Sequence, residues 1–225
     1  MAIIVFLEPE TYSMGLPVIL TFNPFQQNMS LISSGGECVI IDPGCFDRNE
    51  KQELEDFIKE NALKPVRLLN THCHIDHILG NAFVCDKWNL KPEIHELDLP
   101  IMKALPNYGH MFGVGNLEES PLPEKYLNEG DVIEFGDVKL DILFVPGHAP
   151  GHIVFVNHKE KYVIGGDCLF RESIGRTDLP GGDYDTLIKS IREKLFTLPD
   201  DYTVFPGHGP ETTIGYEKRN NPFLK

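Results

Sequence analysis

At 225 residues, with 41% hydrophobic and 24% charged side chains and no low-complexity run, the chain is long enough to bury one sizeable core. Its net charge of −14, without a block of lysine or arginine, argues against a nucleic-acid binder, because phosphate affinity depends on basic clusters. No stretch approaches the roughly 20 apolar residues of a membrane span. The five cysteines, odd in number and without C-x-x-C spacing, fit reduced thiols in a cytoplasmic protein rather than a disulfide framework.

The opening MAIIVFLEPE lacks a basic n-region, so its apolar run predicts an edge strand at 3–7 rather than a signal peptide. Strand-like segments follow at 17–22, 29–33 and 37–41, the last ending in the turn signal IDPGC. Asp47, with Glu50 three positions on, predicts a helix start with a capping box, and Leu54, Phe57 and Ile58 mark the apolar face. PVRLLNT (65–71) is a buried-type strand, and a second helix is expected over about 77–88. Residues 106–124 form a long irregular stretch, a candidate lid or pocket wall. Strands return at 131–135, 138–145, 152–156 and 161–164. Asp183 should cap a third helix with Leu187, Ile188, Ile191 and Leu195 on one face, before a short strand at 203–205. No repeat or flexible linker divides the chain. The pattern predicts a single α/β domain over 1–225: two mixed sheets face to face with helices outside, a four-layer αββα sandwich.

Residues 71–77 read THCHIDH, placing three of the chain's nine histidines and one aspartate within six positions. Histidine is a modest helix and strand former, so local structure does not explain the crowding. In an extended segment, residues two apart point the same way, so His72 and His74 can face one cation with Cys73 turned away. Asp76 and His77 fall where the chain should turn into a helix, and the free N–H groups there favour a carboxylate. Adjacent side chains diverge, so the spacing proposes two metals. The remaining ligands must come from distant strand ends. FVPGHAPGH offers His148 after Gly147, whose freedom lets the backbone turn the imidazole inward; VIGGDCLF offers Asp167 and VFPGHGP offers His208. The expected sets are His72, His74 and His148 for one ion, Asp76, His77 and His208 for the other, and Asp167 bridging. Burying these seven groups without a cation would be expensive. His95, His110 and His158 are read as ordinary structural histidines, and His152 as a residue that can orient a ligand.

Nitrogen and oxygen donors without cysteine favour zinc, iron or manganese over copper. Two such divalent ions about 3.5–4 Å apart would turn a shared water into bridging hydroxide at neutral pH. One would also collect the charge of a tetrahedral intermediate. Asp76 and Asp167 would orient the water and handle its proton. That chemistry is hydrolysis, and the chain has no G-x-S-x-G elbow to suggest a serine nucleophile.

The pattern resembles the metallo-β-lactamase superfamily. Its H-x-H-x-D-H signature is matched by His72, His74, Asp76 and His77, with His148, Asp167 and His208 in the family's order. LFRESIGRTDLPGGDYDTLIKSIREKLFTLPDD (169–201), NPFQQN (23–28) and NNPFL (220–224) look like the short bacterial branch of glyoxalase II-type (hydroxyacylglutathione) hydrolases. The resemblance implies hydrolysis of a small-molecule S-acyl thioester such as S-lactoylglutathione, with zinc as the first expectation for the two ions. It also implies that Arg176 holds a glutathione carboxylate. Lys225 would sit where longer enzymes begin a helical C-terminal domain with further glutathione contacts, a domain not expected here. The plain structural alternatives are an ion pair of Arg176 with Asp178 or Asp183, and a frayed end at Lys225. The nearest rival is a persulfide dioxygenase, a relative holding one iron, whose ligands would match His72, His148 and Asp167. True β-lactamases commonly place cysteine where His208 stands. Diiron nitric oxide reductases carry a glutamate in the place of Ile75 and a fused flavin domain.

Overall fold

A computed structural model describes residues 15–108 and 117–225, so the expected strand at 3–7, His110 and the middle of the 106–124 stretch lie outside the described residues. The elements run β1 (Pro17–Phe22), β2 (Gln27–Ser34), β3 (Glu37–Ile41), α1 (Arg48–Glu60), β4 (Lys64–Leu69), α2 (Ile75–Ile78), α3 (Asn81–Trp88), β5 (Pro92–Ile94), α4 (Leu99–Tyr108) and β6 (Lys125–Tyr126). The second half gives β7 (Val132–Phe135), β8 (Val138–Phe144), β9 (Ile153–Asn157), β10 (Tyr162–Gly166), β11 (Leu169–Phe170), β12 (Ser173–Ile174), α5 (Tyr184–Glu193), β13 (Thr203–Pro206), β14 (Thr212–Thr213) and α6 (Ile214–Asn220).

Strands β1 to β6 form one sheet in sequence order, and β14-β13-β10-β9-β8-β7 form the other. The side-chain period of two decides the layers. Ile153 and Phe155 of β9 face the other sheet, where they meet Ile41 and Leu69. Val154 and Val156, one residue out of phase, pack with Leu187 and Ile191 of α5. Leu31, Ile40 and Leu68 cover the outer face of the first sheet against Leu54 and Ile58 of α1. Three apolar layers therefore separate four structural ones, and the expected αββα sandwich is what forms. Each fully buried aliphatic side chain contributes roughly 1.5–3 kcal/mol. This explains the continuous apolar run IVFVN, in which both faces of the strand are covered. Among the described residues no helix is long and apolar enough to cross a membrane, and all five cysteines are free and buried.

Three local expectations need correction. The helix expected over 77–88 is two, α2 and α3, broken at Leu79 and Gly80. The break is a packing effect: the Gly80 N–H donates to the Pro43 carbonyl at 2.7 Å, and a Cβ at 80 would lie 2.5 Å from Cys45 Sγ. The 106–124 stretch does not begin as a loop, because α4 runs on to Tyr108 with Pro106 inside it. At α1, Asp47 caps as expected, accepting from the N–H groups of Asn49 and Glu50 at 2.7 and 3.0 Å. Glu50, however, accepts from the N–H groups of Phe46 and Asn23, both at 2.7 Å, and so ties the β1–β2 turn to the helix start instead of closing a capping box.

Candidate metal centre

The seven expected metal ligands all follow a strand's C-terminal end. β4 runs out into Asn70 and Thr71 and delivers His72, His74, Asp76 and His77. The β8–β9 loop carries His148, and Asp167 and His208 follow β10 and β13.

The structure brings all seven together. His74 Nδ1 lies 2.8 Å from His148 Nε2, although the two residues are 74 positions apart. With His72 they form one group whose potential ligand atoms lie within 4.8 Å of one another, and Asp76, His77 and His208 form a second such group. His208 Nε2 sits 2.9 Å from Asp76 Oδ2. Asp167 spans the two: Oδ2 is 3.6 Å from His148 Nε2 and 3.5 Å from His208 Nε2, and Oδ1 is 3.3 Å from His77 Nε2.

The outward-facing nitrogens are fixed. His148 Nδ1 meets the Arg176 carbonyl at 2.7 Å and His208 Nδ1 the Phe25 carbonyl at 3.1 Å. His72 Nδ1 meets Thr71 Oγ1 at 3.0 Å. Such partners choose the tautomer and aim the other nitrogen inward. Of the atoms turned inward, His72 Nε2, His77 Nε2 and Asp167 Oδ1 are buried without a hydrogen bond, the last two facing each other at 3.3 Å. An orphaned buried polar atom costs about 1–3 kcal/mol, and three of them converging on one small space are what a cation would satisfy.

Electrostatics divide the site. Burial, reinforced by the neighbouring imidazoles, holds His72 well below the usual range and His74 down at about 3. Burial also lowers His148. Neutral imidazole is the form that binds a metal. Around His77 burial pushes the same way, but the carboxylates of Asp167, Asp76 and Asp42 outweigh it and raise the imidazole well above 6.5. His208 is raised too, its bond to Asp76 and the Asp167 charge overcoming burial. Asp76 and Asp167 are in turn held low, His77 foremost among the groups that overcome their burial.

Sequence reasoning missed several residues that shape this site. Asp42, read only as part of a turn, takes a left-handed backbone with φ of 54°. Its carboxylate accepts from Thr71 N–H and Oγ1 at 2.7 and 2.6 Å and faces His77 Nδ1 at 3.0 Å. It also groups with His72 and His77 within ligand distance, yet its oxygens are occupied by these partners, so it orients His77. Asn28 fixes the His208 loop through its N–H to Gly207 O at 2.7 Å and its amide to Pro206 O and Gly209 O at 3.1 and 2.8 Å. Gly207 is required for space, since a Cβ there would lie 2.2 Å from Asp167 Oδ1.

His152 behaves as read: fully buried, it accepts the Asp167 N–H at Nε2, 3.0 Å away, and stacks on His72. His95 accepts from Leu97 N–H and His158 bonds Tyr202, and neither joins a metal-capable group among the described residues. The Arg176 guanidinium makes two 2.7 Å bonds to Asp178 and is 61% exposed, the structural alternative foreseen for it. Lys225 lies with Tyr184, Ile188, Arg192 and Phe223 along a groove beside α5, and its carbonyl accepts from Arg192.

Comparison with known proteins places these residues in context. The family described as the metallo-beta-lactamase superfamily matches residues 22–208. The chain is 42% identical over 213 residues to hydroxyacylglutathione hydrolase GloC of Haemophilus influenzae, covering 92% of this chain and 96% of that protein. Among solved structures it is similar to BLEG-1 B3 metallo-beta-lactamase, with 33% identity, a TM-score of 0.84, and 93% and 99% of the two chains covered. It is similar also to TTHA1623 in a di-iron-bound form, with 38% identity, a TM-score of 0.81, and 93% and 100% covered.

Proposed function

We propose that this chain, which belongs to the metallo-beta-lactamase superfamily, is a dinuclear metal-dependent hydrolase of S-acyl thioesters of the S-lactoylglutathione type. The observation that carries the reading is the second ligand group. His208 Nε2 stands 2.9 Å from Asp76 Oδ2 and 3.5 Å from Asp167 Oδ2, so the chain supplies donors for two ions. His72, His74 and His148 would hold one and Asp76, His77 and His208 the other, with Asp167 shared. When bound, two divalent ions supply Lewis acidity and lower the pKa of a water between them. The donor set suits zinc, iron or manganese, and the di-iron form of TTHA1623 supports iron beside zinc.

The chain's own residues set the rest. Asp76 and Asp167, held ionised, offer acceptor oxygens that would orient that water and accept its hydrogen bond. With its imidazoles taken up as ligands, none of the seven groups in the cluster would be left to protonate a leaving group. A thiolate needs none, since a thiol's pKa is only about 8.5, whereas an amide nitrogen does. This favours a thioester, and the likeness to GloC supports a glutathione carrier. A single-iron dioxygenase would leave the Asp76–His77–His208 group without a task. The likeness to BLEG-1 B3 metallo-beta-lactamase makes a β-lactam the second substrate to try.

The test is one preparation of measured metal content. Thiol release from S-lactoylglutathione is followed beside oxygen uptake with glutathione persulfide and opening of a cephalosporin. Two ions per chain and dominant thiol release are expected. One iron with oxygen uptake, or dominant cephalosporin opening, would overturn the reading.

A further inference from the structure

Asp98 is a fully buried carboxylate that the chemistry above does not use. It ends the short turn between β5 and α4, and none of its contacts is a proposed ligand. Its two oxygens reach in different directions. Oδ2 accepts the Cys73 N–H at 2.8 Å, in the middle of the His72–His74 pair. Oδ1 accepts the Gly151 N–H at 2.5 Å, in the loop that carries His148 and His152. The approach at Gly151 is so close that a Cβ there would fall 2.7 Å from Asp98 Oδ1 and from Asp98 N. One side chain therefore clasps both segments that bring His72, His74 and His148 to a single point.

We infer that Asp98 is a positioning residue for the three-histidine ion, a brace that sets the spacing of its ligand loops and hence that ion's affinity. The inference rests on the dinuclear reading and deepens it. Both groups that Asp98 meets are N–H donors, so both of its oxygens must accept. An amide of the same shape cannot do this: whichever way it turned, its NH2 would meet one of the two N–H groups. Asp98→Asn thus breaks one end of the brace while keeping its volume. The Asp76–His77–His208 group has no bond to Asp98 and should be spared.

The experiment measures zinc affinity at both sites by competition with a chromophoric chelator, for the parent and Asp98→Asn, each also in a His208→Ala background that isolates the three-histidine site. Amide exchange of Cys73 and Gly151 is followed in the metal-free proteins. The three-histidine site is expected to weaken by about 10–100-fold, the usual effect of losing an outer-sphere partner, with faster exchange at Cys73 or Gly151. The other site should stay within about threefold. Unchanged affinities, or equal losses at both sites, would overturn the inference. Should Asp98→Asn fail to fold, Gly151→Ala must give the same selective loss, and its absence would be equally decisive. The number of zinc equivalents taken up by the parent tests the dinuclear reading, whereas the parent-to-variant ratio tests the brace, so the two failures are read separately.

Discussion

The two halves of the candidate metal centre are built on different principles. In the three-histidine half the imidazoles are kept neutral by burial: His72 and His148 are 1% and 2% exposed, and His74 is partly buried. Its geometry is held by backbone bonds, through the Arg176 carbonyl and the Asp98 brace. The other half is charged and reaches the surface on one side, with His208 side-chain exposure at 27% and Asp76 at 14% around a fully buried His77. There, acids and imidazoles compensate one another and a single loop fastened to β2 sets the reach of His208. Neutral ligands give up no protons when an ion arrives, whereas around His77 and His208 the neighbouring carboxylates favour the protonated imidazole, against which an ion must compete. On the two-ion proposal the three-histidine half would therefore fill first.

The strongest way to break this comparison is Asp167→Ala, which removes the one group common to both halves. It should abolish binding of both ions, and metal content equal to the parent's would contradict the bridging role. His208→Ala should act on one half only: the second ion should weaken by more than the roughly 100-fold upper range for an outer-sphere partner, while one ion per chain is retained. Loss of both ions together would mean that the halves do not load separately.

A pH measurement on metal-free protein addresses the brace of the neutral half. Burial raises the Asp98 carboxyl to about 6, more than its two backbone N–H partners lower it. An unfolded aspartate titrates near 3.9, so the folded state keeps this proton to higher pH. The associated stability is fully present below about pH 4 and is lost as pH rises through 6, on the order of 3 kcal/mol. The parent should therefore lose stability over that window relative to Asp98→Asn, and parallel curves by thermal melting would refute the assignment. Asn28→Ala sharpens the other half: freed from β2, the His208 loop should cost the second ion about tenfold in affinity and leave the first unaffected by the same titration. Smallest is Arg176→Ala. Its exposed pair with Asp178 is screened by solvent and adds little to stability. KM for a glutathione thioester should rise more than KM for a small uncharged one, and an unchanged ratio would remove Arg176 from the substrate site.

Much of this centre was legible along the chain because its chemistry is dense in sequence. THCHIDH concentrates four of the seven candidate ligands in one short segment, and His148, Asp167 and His208 each stand beside a glycine at a strand end. The period-two runs were equally plain, since a strand covered on one or both faces must carry its apolar residues accordingly. The brace and orienting residues were not legible. Asp42 and Asp98 are lone aspartates in ordinary turns, and their roles arise from where other segments lie: Thr71 and His77 beside the one, Cys73 and Gly151 beside the other. The break between α2 and α3 was hidden for the same reason, being imposed by Pro43 and Cys45 across the gap.

What the sequence by itself determined is therefore the set of donors and the layers that carry them, because residue type and short-range period fix which groups can bind a cation and which faces must leave water. What only the tertiary structure decided is how closely those donors approach, how unlike the two expected sets are in charge and burial, and the identity of the carboxylates that aim them. Burial, backbone donors and mutual charge act through space between segments far apart in the chain, and local sequence holds no record of that distance.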